Sequence, residues 1–375
     1  MRFLSGHLFR IKCEKHTLKY ERYPNLVTKE FQYISIFNYS KITKLLLKVF
    51  TLVSKISING EKSKTKSAVT SQNIMNRGFK VFEKWHLSTS RSALVFAEYV
   101  KARSFVYIFA LATLVALLLG SHGDPNLLEA IRTVIASYFL ALAAYTYNDM
   151  TDQKVDAINK TNRPSITGRA SRTQLRIIVT VLFGSGLLLT FSINLNTMIV
   201  AIAYTALALA YSHPKSNLKD KFPLKTAVTA AGGALLSILG GTSVSNNSLA
   251  VVYAASLFFS SFFILSPLGD IGDIKGDRMA SRRTFPIVMG IRFTLFLMFS
   301  IPIIIIGITL LANYCGNWHM KIIGIYTTVS ICCAALLLLF HIKKRLGNSS
   351  DVKSVRPKMR YFVIGLQLSL LLTFL

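Results

Sequence analysis

The stretch NDMTDQKVDAINKTNRP, residues 148–164, closes a long apolar run, and DIGDIKGD, residues 270–277, repeats its acidic spacing further along the chain. Asp149, Asp152 and Asp156 stand at i, i+3 and i+7, as do Asp270, Asp273 and Asp277. At about 3.6 residues per helical turn, each set shares one helix face. Two such faces, set opposite one another, hold a metal-bound anion between them if the rest of the chain supplies the frame.

The composition describes that frame. Of 375 residues, 52% are apolar and the mean hydropathy is +0.45, which points to a polytopic membrane protein rather than two or three soluble domains. A formal net charge of +28 would suggest nucleic acid in a soluble chain. Here the basic residues gather in the N-terminal part and in alternate loops, so they read as an orientation signal, and no nucleic-acid partner is expected. Cys13 and Cys315 stand alone and Cys332-Cys333 are adjacent in an apolar run, a pattern without the C-x-x-C spacing of zinc or redox sites.

Residues 1–92 form a basic extension with Lys62, Lys64 and Lys66 and no apolar segment of spanning length. Its stretch from Tyr33 to Ile58 suits a helix at an anionic membrane surface and equally a disordered tail. A transit peptide is a further reading, against which Glu14, Glu21 and Glu30 count, and Met75 is an alternative start. Residues 93–375 make the polytopic domain. Nine apolar runs long enough for a ~30 Å hydrocarbon layer fall near 104–120, 127–147, 174–193, 195–212, 224–243, 249–268, 287–312, 320–341 and 359–375. The loops at 121–126, 194–196, 243–248 and 313–319 contain no Lys or Arg, whereas their alternates are rich in both. The positive-inside rule therefore predicts that both acidic stretches open on the cytoplasmic side. Each half also shows a span, the acidic triplet, basic residues and then a proline, Pro164 or Pro286. This reads as an internal repeat with the functional site between its halves.

A carboxylate near the bilayer centre costs about 2.5–3.5 kcal/mol, so six at helix ends need compensation. Magnesium is the natural cation, since it takes hard oxygen ligands, keeps waters and shares one or two carboxylates with substrate phosphates. Asn148 with Asp152 and Asp273 with Asp277, each pair at i and i+4, offer two oxygens from each half, and a diphosphate would complete both shells. Calcium asks for more protein oxygens and zinc for His or Cys, while His213 and His319 lie on opposite sides of the expected topology. Arg163, Arg169, Lys215, Lys219, Arg278 and Arg282 are candidate phosphate contacts, and each is also readable as a topology signal. Tyr145, Tyr147, Tyr204 and Tyr211 supply phenols and ring faces near the acids, or else an interfacial belt. Gly232, Gly233, Gly240 and Gly241 lack phosphate-loop spacing and suit close helix packing or a smooth wall beside an apolar ligand. A cation-coupled transporter is the alternative of another class, because intramembrane carboxylates also mark ion pathways.

At these residues the chain resembles the UbiA superfamily of intramembrane prenyltransferases, with Asn148-Asp149-Met150-Thr151-Asp152-Gln153-Lys154-Val155-Asp156 matching N-D-x-x-D-x-x-x-D and Asp273-Ile274-Lys275-Gly276-Asp277 matching D-x-x-x-D. The resemblance runs from about Ala93 to the C-terminus. It implies an all-α bundle of nine spans around a central cavity open to the cytoplasmic side, in which two Mg²⁺ ions hold an isoprenyl diphosphate and the prenyl tail lies in an apolar channel. Asn148 and Asp152 then hold one metal, and Asp273 and Asp277 the other. Asp152, Asp273, Asp277 and Lys215 carry the chemistry, with Lys215 in the matching Tyr211-Ser212-His213-Pro214-Lys215 segment. Tyr147, Tyr211, Arg163, Lys219, Arg278 and Arg282 contact substrate, and Asp149, Asp156 and Asp270 support the ligands or face the acceptor. The segments Asn162-Arg163-Pro164 to Gly168, Gly276-Asp277-Arg278 and Arg283-Thr284-Phe285-Pro286 look most like archaeal members that add a second geranylgeranyl chain to geranylgeranylglyceryl phosphate. An aromatic quinone precursor is the alternative acceptor. The chain departs from the family pattern at Arg103-Ser104-Phe105-Val106, where many members carry R-P-x-N, and at Gly269, where they carry a basic residue. The implied location is the cell membrane of a prokaryote or an inner organellar membrane of a eukaryote.

Overall fold

A computed structural model of the chain describes residues 94–159, 163–246, 248–314, 320–344 and 349–375. The N-terminal extension expected over residues 1–92, together with Cys13, Cys315 and His319, lies outside them. Every regular element among the described residues is helical.

The helices are α1 (Leu94–Ala102), α2 (Tyr107–Gly120), α3 (Leu127–Thr151), α4 (Gln153–Ile158), α5 (Arg172–Phe191), α6 (Leu195–Ser212), α7 (Leu224–Ser243), α8 (Leu249–Met279), α9 (Phe285–Val288), α10 (Gly290–Tyr314), α11 (Ile322–Lys344) and α12 (Ser349–Phe374). Their starts follow local chemistry. The Asn126 side chain accepts from the N–H groups of Leu128 and Glu129, Ser171 and Gln174 form a reciprocal capping box, and Asn194 accepts from the Thr197 N–H. Each satisfies donors that a helix start otherwise leaves unpaired.

Among the described residues, α3, α5, α6, α7, α8, α10 and α11 are long and apolar enough to cross a membrane. The expected first span is a bent pair, α1 and Ser104–Gly120 meeting at 67°, which makes an eighth. The residues expected as the last span, 359–375, lie largely in α12, which with Arg356, Lys358 and Arg360 is not among the helices apolar enough to cross. Large apolar side chains such as Leu188, Phe296 and Leu337 face outward, while Thr113, Ser137 and the acids of α3 and α8 face inward. That inversion suits a lipid surround rather than water.

Small residues set the closest contacts. A side chain at Gly240 of α7 would put its first carbon 2.0 Å from the Thr113 carbonyl oxygen, so α2 and α7 meet backbone to backbone. Thr113 Oγ1 lies 2.7 Å from the Leu236 carbonyl oxygen, to which it donates, and 2.6 Å from Ser137 Oγ, tying α2 to both α7 and α3. Gly324 lets α11 approach the backbone of α12 at Thr373 in the same way. The close-packing reading of the glycines in α7 thus holds at Gly240, and at Gly233, which faces the Phe262 ring.

Candidate active site

α3 runs past its expected end to Thr151, and the chain breaks at Asp152 (φ −97°, ψ 10°) before α4 resumes. The N–H groups of Asp152 and Asp156 still donate to the carbonyls of Asn148 and Asp152, both at 2.9 Å, so Asn148, Asp152 and Asp156 remain one turn apart. α8 carries Asp270, Asp273 and Asp277 without interruption. All six line one cavity of about 420 Å³. The two stretches are pinned together where Asn159 Oδ1 accepts the Gly276 N–H at 3.1 Å. Gly276 is needed for this, since a side-chain carbon there would sit 2.4 Å from that oxygen.

Cations interleave the acids. Asp149 accepts from Arg103 Nε at 2.9 Å and also from its Nη2, and from Arg163 at 2.7 Å; Arg163 in turn reaches Asp156. Asp152 binds Lys219 at 2.6 Å and Arg282. Lys225 lies 2.6 Å from Asp270 and 3.5 Å from Asp277, Arg282 lies 3.6 Å from Asp277 and 2.7 Å from Asp220, and Arg356 approaches Asp273 at 3.7 Å. Burial pushes the Asp152 carboxyl up, but Arg282 and Lys219 outweigh it and hold that carboxyl below the usual range. Asp156 is raised, because burial outweighs Arg163. Burial lowers Lys219 despite Asp152, whereas Asp152 and Asp220 outweigh burial at Arg282 and raise it.

An apolar pocket of about 100 Å³ adjoins this cavity and shares Tyr145, Asn148, Tyr211 and Thr229 with it. Phe109, Tyr204, Leu207 and Gly232 complete its wall. Gly232 therefore fits the smooth-wall reading, with its absent side chain 3.4 Å from the Tyr204 ring.

The expected site residues divide accordingly. Asn148, Asp152, Asp156, Arg163, Tyr211, Asp270, Asp273, Asp277 and Arg282 line the cavity. Asp149 is buried behind it on Arg103 and Arg163, and Lys219 reaches it through Asp152. Lys215 is exposed on the turn after α6, with its backbone N–H on His213 Nδ1, and Arg278 is exposed on α8. Tyr147, one position round the helix from Asn148, packs against the apolar core, and Arg169 pairs with Glu98 at 3.3 Å. Tyr145 and Tyr204 line the apolar pocket. Four cations lie beyond the expected set: Arg103, Lys225, Arg356 and Arg360. Lys225 sits just inside an apolar span, where a lone lysine is itself a signal of function.

The donor set fits magnesium bound together with a diphosphate. Among the described residues no three His, Cys, Asp or Glu converge on one ion, so protein alone offers an incomplete shell, as expected for a metal that shares phosphate oxygens. Asp270 Oδ2 is buried without a hydrogen-bond partner among the described residues, leaving an acceptor for a cation or its water.

Residues 109–364 match the UbiA prenyltransferase family. The chain belongs to this family. This UbiA prenyltransferase is 27% identical over 240 residues to the digeranylgeranylglyceryl phosphate synthase of Sulfurisphaera tokodaii, covering 64% of this chain and 83% of that protein. It is 25% identical over 258 residues to the synthase of the same name from Methanosphaera stadtmanae, covering 68% and 90%. Among solved structures, a UbiA homologue from Archaeoglobus fulgidus bound to GPP and Mg²⁺ superposes with a TM-score of 0.55 at 16% identity, over 73% of this chain and 99% of that one. A structure described as giving insights into digeranylgeranylglyceryl phosphate synthase in membranes superposes at 0.58 and 16%, over 74% and 97%. The UbiA fold is thus an integral, multi-pass one, and the chain is a prenyltransferase.

Proposed function

We propose that this UbiA prenyltransferase moves a geranylgeranyl group from its diphosphate to geranylgeranylglyceryl phosphate, in a nine-span bundle whose cavity opens to the cytoplasmic side. One observation carries the reading: six acidic or amide oxygen donors from two stretches of the chain and several cations line a single cavity that runs into an aromatic, apolar pocket. The names of the relatives in Sulfurisphaera and Methanosphaera support the acceptor.

Asn148 and Asp152, with Asp273 and Asp277, would hold magnesium, which when bound neutralises the charge that gathers on the leaving diphosphate. Lys225, Lys219 and Arg282 stand beside these carboxylates and turn their donors to phosphate oxygens. The tail lies along Phe109, Leu207 and Gly232. The rings of Tyr145 and Tyr211 line both pocket and cavity, where they face a developing allylic cation and keep water from it. The acceptor hydroxyl then attacks C1 as the C1–O bond breaks, and the diphosphate leaves with the bonding pair and takes up the hydroxyl proton. The cation-coupled transporter reading asks for acids open to a travelling ion, and here Lys and Arg side chains hold them.

The test is product mass from purified protein with Mg²⁺, labelled geranylgeranyl diphosphate and two acceptors, geranylgeranylglyceryl phosphate and a phenolic quinone precursor. Transfer to the phosphate-bearing lipid is expected. Transfer to the phenol alone would overturn the acceptor, and transfer to neither would overturn the reading.

A further inference from the structure

The cations of the cavity are not equivalent. Arg103, Arg163, Lys225 and Arg282 each have a carboxylate oxygen within 3 Å. Arg360 on α12 pairs with no carboxylate among the described residues and instead lies 4.5 Å over the Phe105 ring. Arg356, one turn earlier, has Asp273 as its carboxylate partner among the described residues, at 3.7 Å. Both line the cavity. Like charges at i and i+4 repel by about 0.2–0.5 kcal/mol on an exposed helix, so the pairing is not explained by helix stability. Arg356 is also specifically accommodated. Its guanidinium lies on Gly269 of α8, where a side-chain carbon would come within 2.7 Å of Nη2 and 2.9 Å of Cζ. The α12 side of the cavity therefore presents two forked donors on an aromatic floor with positive charge to spare, and planar guanidinium forks match phosphate oxygens.

We propose that Arg356 and Arg360, on the α12 side of the cavity beside Asp273, seat the phosphomonoester of the acceptor. This rests on the prenyl-transfer reading above. A side chain at Gly269 would shift the Arg356 guanidinium from this position.

The experiment is steady-state kinetics of the full chain with each substrate varied in turn, in detergent and in vesicles of zwitterionic or anionic lipid. Arg360→Ala and Arg356→Ala are expected to raise the acceptor KM roughly ten- to a hundredfold, the scale of one charge-assisted hydrogen bond, with the donor KM unchanged in Arg360→Ala. Arg360→Lys should recover part of the loss. Gly269→Leu, which leaves both arginines in the sequence but displaces Arg356, should raise the acceptor KM as well. In the wild-type protein, where folding is not at issue, glycerol phosphate should compete with the acceptor and not with the donor. A rise in the donor KM instead, or an acceptor KM unmoved in all three charge-removing or displacing variants, would overturn the assignment. So would a loss that tracks anionic lipid equally for both substrates, which would make bilayer phosphate the ligand. If the wild-type protein prenylates a phenol and no phosphate-bearing acceptor, the underlying reading fails, and that outcome is told apart by needing no variant.

Discussion

Lys225→Met removes the cation shared by Asp270 and Asp277, and its effect separates structural from metal-binding roles of these acids. The side chains of Lys225, Asp270 and Asp277 are only 15%, 5% and 2% exposed, so water screens little of what is lost. Breaking a buried pair by deleting one partner costs about 3–5 kcal/mol, because the remaining charge is stranded. At about 2–4 °C per kcal/mol this corresponds to a fall in Tm of roughly 6–20 °C. Magnesium that uses the same carboxylates substitutes for the ammonium group, and at a hundred times its Kd it returns about 2.7 kcal/mol. The assay is thermal unfolding in detergent of wild type and Lys225→Met, each in chelator and in excess Mg²⁺. The expected pattern is a variant much less stable than wild type in chelator and largely recovered by the metal. Equal stability of the two proteins in chelator would refute the buried-pair argument, and a variant that Mg²⁺ leaves unchanged would refute the metal's use of Asp277.

Three further outcomes are expected. Asp152→Asn and Asp277→Asn should each reduce transfer by at least about a thousandfold, the scale of losing a preorganised electrostatic contact, while insertion and the elution profile stay normal. Gly240→Leu should lower Tm by overpacking α2 against α7, at a cost of at least about 1–3 kcal/mol, whereas Gly184→Leu, in open space on α5, should not. Deleting residues 1–74 should leave specific activity largely intact in the same membrane assay.

The membrane frame was legible because loops and spans differ in their chemistry. The observed α6 and α7 keep the expected limits at Leu195–Ser212 and Leu224–Ser243, each between polar turns. α8 was expected to end near residue 268, since three aspartates interrupt its apolarity, yet it continues to Met279 with Lys225, Arg282 and Arg356 beside those charges. That pairing comes largely from residues distant in sequence, which hydropathy does not register. The acids that line the cavity were legible from their spacing alone. Their partners were less so: Lys225 was hidden inside an apolar run, and Lys215 resembled a phosphate ligand by its neighbours although it projects from the turn. The bend at Arg103 follows from no local breaker, and its guanidinium fork on Asp149 is a tertiary contact 46 residues away. The missing basic residue at Gly269 reads locally as a loss, whereas in space Arg356 fills it.

The interleaving of acids and cations also bears on how the donor enters. On the proposed reading, a diphosphate arriving with its metals would bring cations for Asp152 and Asp277 and anions for Lys219, Lys225 and Arg282, which now pair with one another, so each side chain would trade one counterion for another. Donor uptake is in this sense ion exchange at nearly constant charge, and its affinity should vary little with ionic strength, unlike that of a site that must gather bare charge from solution.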